Sequence, residues 1–308
     1  MGPTQPGWQQ QAVAPFNTAA REELYNTLDP ASQAMLDSQT GPMASRGFTT
    51  IPYTTEVTYP DHIFRILMLR RLRLPLPLTE RVCRCRRDLD PLGDHRAACA
   101  RAGVLRSRGV PLVCREAGAR VTMHARLENL NIPAVQRIDD RTIEVIANGF
   151  PLWHGSQLAI DTTLVSPLAA AGEPRRRGGR YAAAALHTAR QKKQRTYPEL
   201  LASARCRLVV MGMEVGGRWS QESAEFLRLL AQHKARSAPA PLQQATVTSL
   251  ISRWSAILAH AGMHAFAASL LSLPADGLAN GEGVLPPLGQ LLAQPEAAPN
   301  NPSRLPGR

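Results

Sequence analysis

The stretch RTIEVIANGFPLWHGSQLAIDTTLVS (residues 141–166) decides the fold of this chain. Its two ends, residues 141–147 and 157–166, are rich in β-branched residues, and a glycine-containing turn separates them, so both are predicted to be strands. Each strand carries one acidic residue among apolar neighbours, Glu144 in the first and Asp161 in the second. Because a carboxylate is costly to bury unless it is paired or bound to a metal ion, these two residues are candidates for a functional site.

Further elements flank these two strands. Before them, the pattern predicts a short helix that runs into a strand; after them, it predicts a helix, a buried strand and more helices. These elements cover residues 112–122, 181–201, 207–215, 220–236 and 246–273. Their order predicts an α/β fold with a mixed sheet.

The composition changes along the chain and divides it into six segments. Both ends are rich in residues such as Gln, Pro, Gly, Asn and Ala, which bury little surface, so we expect them to be disordered. The segments are a disordered tail (1–19), a helical and extended connector with an Arg-rich helix (20–78), a zinc knuckle (79–105), the α/β domain (106–236), C-terminal helices (237–274) and a second disordered tail (275–308).

A Cys/His cluster lies in CRCRRDLDPLGDHRAAC, residues 83–99. Three thiolates and one imidazole make a closed tetrahedral set for a structural Zn²⁺ ion, and the DPLG turn can bring the two halves together. The ligands would be Cys83, Cys85, His95 and Cys99, with Asp88, Asp90 and Asp94 as candidate acceptors for the imidazole N–H. The alternative is a cluster of free thiols without a metal.

The chain is strongly basic, with a formal net charge of +12 and a pI of about 10.3. Between residues 61 and 110 it has 12 Arg against five acidic residues. Guanidinium groups bind phosphate oxygens bidentately, so this excess favours a nucleic-acid partner, DNA or RNA, over an ordinary solvated surface. The candidate phosphate contacts are Arg70, Arg71, Arg73, Arg84, Arg86, Arg87, Arg175, Arg176 and Arg177.

The sequence shows no signal peptide, membrane span or lipidation motif, and its five cysteines are irregularly spaced. We therefore expect an intracellular, nuclear protein with reduced thiols and no membrane partner. Cys114 and Cys206 have apolar neighbours and are expected to be buried, inert thiols.

Lysine is rare: only three of the 36 basic residues are Lys, and two of them, Lys192 and Lys193, are adjacent. Hydrolysis of a phosphodiester uses Mg²⁺ or Mn²⁺ on hard oxygen ligands, with a cation nearby. Glu144 and Asp161 are the candidate ligands, and Lys193 shares a helix face with Tyr197. Each has an alternative: Glu144 on an edge strand, Asp161 in a turn at a strand end, and Lys193 as a solvated helix charge.

Five motifs follow one another in a fixed order across residues 29–273. They are LRRLRLPLPL, CRC…DPLGDHRAAC, IDTTLVSP, K-x-x-x-Y and the strand before GGRW. This order resembles the C-terminal part of non-LTR retrotransposon polyproteins, where a Cys/His knuckle precedes a restriction-endonuclease-like domain of the PD-(D/E)XK superfamily. The Cys/His block and the D-x-T-x-V-x-P strand are the specific motifs.

The resemblance implies an endonuclease that nicks target DNA so that its 3′ end primes reverse transcription. It implies that Asp161 is the second metal-binding acid, and that Glu144 stands where the family has Asp in an R-P-A-D-V context. Lys193 and Tyr197 would form the family's displaced lysine motif, since Thr163 occupies the position of the lysine in the simpler (D/E)-x-K pattern.

The same resemblance leaves alternatives open. Glu144 replaces the family's Asp, and no Tyr/Phe-x-Asp-Asp polymerase motif occurs in the sequence. The chain could therefore be a detached or degenerate remnant that binds nucleic acid without cutting it. Because the helix over residues 112–119 is short, an inert fragment with an exposed sheet is the third hypothesis.

Overall fold

The structure, a computed structural model, describes residues 7–77, 82–83, 85–99, 109–130, 132, 135, 139–176 and 182–271. The α-helices in these ranges are α1 (Trp8–Thr27), α2 (Pro30–Ser38), α3 (Arg46–Thr49), α4 (Asp61–Arg71), α5 (Asp94–Ala98), α6 (Gly109–Ala117), α7 (Ala184–Thr196), α8 (Pro198–Ala202), α9 (Gln221–Ala235) and α10 (Gln243–Leu270). The strands are β1 (Arg120–Arg126), β2 (Thr142–Asn148), β3 (Gln157–Val165) and β4 (Cys206–Glu214). The tail predicted over residues 275–308 lies outside the described ranges.

The four strands form one mixed sheet in the order β1–β2–β3–β4. β2 is antiparallel to both β1 and β3, whereas β4 runs parallel to β3. Val145 pairs with Ile160, and Asp161 pairs with Val210. The prediction of an α/β fold with a mixed sheet is therefore confirmed, and Asp161 lies on an inner strand.

Two apolar cores cover the two faces of the sheet. One contains Ile160 and Met211 and packs under α6, α9 and α10. The other contains Ala159 and the Tyr197 ring at the junction of α7 and α8. Because side chains alternate along a strand, Asp161 lies on the same face as Ala159, towards α7.

The first core joins three of the predicted segments, residues 20–78, 106–236 and 237–274, so these segments pack as one body. The C-terminal segment is dominated by one 28-residue helix, α10. Its Trp254 is fully buried and donates through Nε1 to Glu116 of α6 at 2.8 Å. Together with α9, these helices cover the sheet face that a short α6 alone would leave open.

The N-terminal region is helical over most of its length. Residues 8–19, which the composition predicts to be disordered, belong to α1, whereas residues 1–6 lie outside the described ranges. This part of the prediction is corrected: Gln and Ala are good helix formers, and the helix forms although its side chains are exposed. Asp29 begins α2, accepting hydrogen bonds from the N–H groups of Ala31 and Ser32 at 2.9 and 3.2 Å.

A tight turn after β4 fastens the N-terminal region to the sheet. The backbone N–H of Arg218 donates to Ser38 O at 3.1 Å, and its guanidinium donates to Thr40 O at 2.7 Å. Gly216 allows this approach, because a Cβ there would lie 2.0 Å from Ser38 Oγ. Glu214, at the end of β4, is 1% exposed and lies 3.7 Å from Arg218 Nε. The junction therefore contains a buried carboxyl group.

Burial raises the pKa of Glu214 to about 7, although the charge of Arg218 opposes this effect. An unfolded glutamate releases its proton near pH 4.5, so folding becomes less favourable as the pH rises from there towards 7. Between pH 4 and pH 8 we expect Glu214→Gln, which stays neutral, to gain roughly 3 kcal/mol in unfolding free energy relative to the wild type. Urea unfolding measures both proteins; a difference that does not change with pH would contradict this expectation.

Candidate functional site

Asp161 and Lys193 meet between the sheet and α7. Lys193 Nζ lies 2.7 Å from Asp161 Oδ2. Asp161 is 5% exposed, whereas the side chain of Lys193 is 28% exposed. Asp161 is therefore not a turn residue, Lys193 is not a freely solvated helix charge, and the ammonium group compensates a buried carboxylate.

Glu144, on the neighbouring strand β2, contacts the residue of β3 that follows Asp161. Its Oε2 accepts a hydrogen bond from the backbone N–H of Thr162 at 3.1 Å and another from the Thr162 hydroxyl. Thr162 directly follows Asp161, so the side chain of Glu144 crosses from β2 to β3 beside Asp161. Because β2 lies between β1 and β3, Glu144 is not an edge-strand residue.

Tyr197 directly follows α7, and its side chain contacts β2. Its hydroxyl donates to Thr142 O at 3.0 Å. Burial, and after it the charge of Asp161, raises the pKa of Tyr197 to about 12. The phenol is therefore a neutral hydrogen-bond donor at neutral pH. This contact positions α7 against β2, and the catalytic role of Tyr197 stays a prediction.

Arg141 was not predicted for this site, but its contacts hold β2 against the end of α7. Its guanidinium donates to the Asp139 carboxylate, to Glu199 Oε1 at 2.8 Å and to the carbonyl of Thr196. The guanidinium carbon lies 5.9 Å from the centre of the Tyr197 ring. These contacts join the start of β2 to the turn between α7 and α8. The only sequence signal was an Asp-Asp-Arg run before the strand, which by itself predicts a loop.

The Cys/His residues also come together. Their ligand atoms all lie within 4.8 Å of one another, in Cys83, Cys85, His95 and Cys99. Cys83 Sγ lies 3.7 Å from Cys99 Sγ, and Cys85 Sγ lies 3.1 Å from His95 Nε2. Three thiols and one imidazole in this arrangement could hold a metal ion such as zinc.

Local turns create the two halves of this cluster. In the first half, the N–H of Cys83 donates to Arg87 O at 2.8 Å, and the N–H of Arg86 donates to Cys83 O at 2.7 Å. In the second half, the Asp90 carboxylate begins α5 by accepting from three backbone N–H groups, those of Leu92, Asp94 and His95. Both turns are sequence-local, which explains why the motif was recognisable from its spacing.

The imidazole of His95 is oriented from outside the cluster. Its Nδ1 lies 3.1 Å from the carbonyl oxygen of Ala170, in the loop after β3. Because a carbonyl oxygen only accepts, Nδ1 carries the proton and Nε2 presents its lone pair to the thiols. The prediction of Asp88, Asp90 or Asp94 as the acceptor is wrong, because Nδ1 lies against the Ala170 carbonyl oxygen instead. Asp90 accepts from backbone N–H groups, and Asp94 accepts from arginines.

Four cysteine thiols have shifted pKa values, two of them in the Cys/His cluster and two outside it. Burial raises the pKa of the Cys83 thiol, whereas a backbone hydrogen bond from Arg87 lowers the pKa of the Cys85 thiol to about 7. Cys85 is therefore partly thiolate at neutral pH, the form that binds a metal. Burial raises the pKa of Cys114 to about 12 and that of Cys206 to about 11, as expected of inert thiols.

Two arginines, one in α4 and one just after it, hold the Cys/His cluster against the rest of the protein. Arg73 donates to the Asp94 carboxylate at 2.8 Å. Arg70 also pairs with Asp94, and it donates to Leu92 O at 2.7 Å. Because Arg70 is only 3% exposed, the prediction that it contacts nucleic acid is wrong. Arg70 shares the buried face of α4 with Ile63, Ile66 and Leu67.

The other predicted phosphate contacts divide by accessibility. Arg71 and Arg73 are half-buried. The Arg71 guanidinium lies 4.8 Å from the centre of the Phe48 ring, and Arg73 pairs with Asp94. Four are exposed: Arg86 and Arg87 on the first cysteine turn, and Arg175 and Arg176 after β3. Arg84 and Arg177 lie outside the described ranges.

Comparison with known protein families gave no match, and comparison with curated proteins gave none either. The fold and the two sites therefore define the class: a mixed α/β protein with a buried carboxylate–lysine pair and a Cys/His cluster that could hold a metal ion. Within the described ranges, no helix has both the length and the apolar character that a membrane span requires.

Proposed function

We propose that this protein is a metal-dependent DNA endonuclease with a PD-(D/E)XK-type core, derived from a retroelement and acting in the nucleus. The observation that carries the proposal is the ion pair between the buried Asp161 carboxylate and Lys193, together with the carboxylate of Glu144 on the neighbouring strand, which accepts from the next residue of β3. Carboxylates on neighbouring strands, with an ammonium group against one of them, suit the hydrolysis of a phosphodiester.

The donor set fits Mg²⁺ or Mn²⁺. Both ions prefer hard oxygen ligands, and Glu144 and Asp161 offer carboxylates from adjacent strands. A bound ion would supply an activated water and neutralise charge on the phosphate. A buried carboxylate needs a cationic partner, and Asp161 has one in Lys193.

The chain's own groups have distinct roles in this proposal. The part-exposed ammonium of Lys193 can reach a phosphate oxygen and stabilise the negative charge that develops on it. Tyr197 and Arg141 keep α7 against β2, so that Lys193 stays opposite the carboxylates. The exposed arginines hold the backbone of DNA, or of RNA, without reading its sequence.

A second candidate is a nucleic-acid-binding module without catalysis. It is favoured by the hydrogen bonds that Glu144 Oε2 already accepts from Thr162, and by Glu144 itself, one methylene longer than the family's aspartate. Such a module would bind nucleic acid through its arginines, more weakly as salt increases, and would show no metal-dependent nicking.

Nicking of supercoiled plasmid in Mn²⁺ separates the two candidates. We expect the wild type to nick and Asp161→Ala to be at least about 100-fold slower, because losing even a group that orients a metal ligand costs 10–100-fold. Asp140→Ala is the matched control, since this exposed aspartate removes the same charge outside the site. Absence of nicking by the wild type would favour the second candidate, and equal nicking by wild type and Asp161→Ala would overturn the catalytic assignment.

A further inference from the structure

His95 connects two separate loops of the protein. Its Nε2 lies against Cys85 Sγ at 3.1 Å, within the Cys/His cluster. On the other side of the ring, Nδ1 donates to Ala170 O at 3.1 Å. A metal ligand whose second nitrogen is hydrogen-bonded keeps a fixed ring orientation. The cluster is thereby tied to a loop that is remote in sequence.

The loop that holds Ala170 is closed on itself. Leu168 and Pro174 form an isolated bridge, and the N–H of Ala169 donates to Glu173 O at 2.7 Å. The N–H of Arg175 donates back to Pro167 O at 2.8 Å. We name residues 167–176 the β3 loop. Because it is internally bonded, a constraint at Ala170 also fixes the position of its last residues.

Exposed arginines occur on both sides of the His95 connection. Arg86 and Arg87 are exposed on the cysteine turn, and they form no ion pair with any described residue. Arg175 and Arg176 are exposed at the end of the β3 loop. Two pairs of guanidinium groups therefore lie on the two loops that one imidazole joins. Paired guanidinium groups at a fixed separation are suited to successive phosphates of a nucleic-acid backbone.

We propose that the metal-bound His95 holds these two arginine pairs in one phosphate-binding surface, through its hydrogen bond to Ala170. This inference rests on the nucleic-acid binding within the proposed function. The metal in the Cys/His cluster then controls how well Arg175 and Arg176 bind phosphate, although neither residue is near the cluster in sequence. The partner surface is the backbone of a DNA duplex, contacted without regard to its sequence.

The decisive variant is His95→Cys, which preserves a four-ligand thiolate set for zinc but removes the donor to Ala170. Metal content is measured by native mass spectrometry, and binding to a fluorescent DNA duplex by anisotropy over a range of NaCl concentrations. We expect His95→Cys to retain one zinc ion. We also expect its slope of log affinity against log salt to flatten by about 2, because each lost phosphate contact contributes about 0.9.

A double-mutant cycle makes the test specific. Arg175→Ala/Arg176→Ala should flatten the slope in the wild type but have little further effect in the His95→Cys background. Arg228→Ala, an exposed arginine on α9, is the matched control and should change the slope equally in both backgrounds. If His95→Cys does not fold, the cycle is run on protein that keeps His95. Removal of zinc by a chelator then takes the place of the His95 substitution.

The outcomes separate this inference from the function on which it rests. A zinc-loaded wild type that does not bind DNA overturns the nucleic-acid binding, and this inference with it, whatever the nicking assay shows. DNA binding with full additivity between the His95 and Arg175/Arg176 changes, or between zinc removal and the arginine changes, overturns the inference alone. Binding to anionic lipid vesicles in place of DNA would also overturn it.

Discussion

Replacing Arg70 with alanine is expected to lower the free energy of unfolding by about 3 kcal/mol, the lower end of the cost of breaking a buried ion pair. Arg70 is 3% exposed, pairs with Asp94 and donates to Leu92 O. Its loss leaves the Leu92 carbonyl without this donor and removes one of the two arginines that pair with the Asp94 carboxylate. Arg73 still reaches Asp94 at 2.8 Å, which limits the cost.

Arg71→Ala is the matched control for this prediction. The neighbouring guanidinium lies over the Phe48 ring, a contact worth about 1 kcal/mol or less at a partly exposed position. Urea unfolding of the zinc-loaded proteins gives both values. We expect Arg70→Ala to leave the salt dependence of DNA binding unchanged. A flattened salt dependence with normal stability would mean that Arg70 contacts phosphate, as its sequence context first predicted.

The strands were predictable because their signal is local. The β-branched runs around Glu144 and Asp161 correspond to β2 and β3, and alternation along a strand does not depend on distant residues. The first part of helix α1, residues 8–19, was missed for the opposite reason. Its helical tendency comes from exposed Gln and Ala, so it has no strong apolar stripe from which a helix would be predicted, and the composition indicated disorder.

The site was predictable only as far as the chemistry of single residues allowed. Asp161 and Lys193 stood out because a carboxylate in an apolar strand and a lysine in an arginine-rich chain are both unusual. The acceptor for His95 is a backbone carbonyl at Ala170, which carries no sequence signal. The burial of Arg70 depends on Asp94, a partner from another segment. Such contacts are set by tertiary packing, so residue type and spacing do not reveal them.

Removing the ammonium group of Lys193 is expected to separate metal binding from catalysis. In the structure, Lys193 Nζ lies 2.7 Å from Asp161 Oδ2, so the lysine and a divalent cation would compete for the same carboxylate. Lys193→Ala should therefore bind Mn²⁺ more tightly than the wild type. Nicking should nevertheless fall by roughly 100- to 1000-fold, the usual cost of losing one group that stabilises transition-state charge.

Lys192→Ala is the matched control, because Lys192 is exposed on the same helix and carries the same charge. Titration calorimetry with Mn²⁺ and plasmid nicking are measured on all three proteins. Tighter Mn²⁺ binding together with slower nicking, seen in Lys193→Ala but not in Lys192→Ala, would show that Lys193 acts on the phosphate. A group that only neutralises Asp161 would not slow nicking. A lysine that served only to stabilise the fold would lower the unfolding free energy when removed, because the buried carboxylate would lose its partner. It would leave the nicking rate per folded molecule in saturating Mn²⁺ unchanged, and that result would contradict the catalytic role of Lys193.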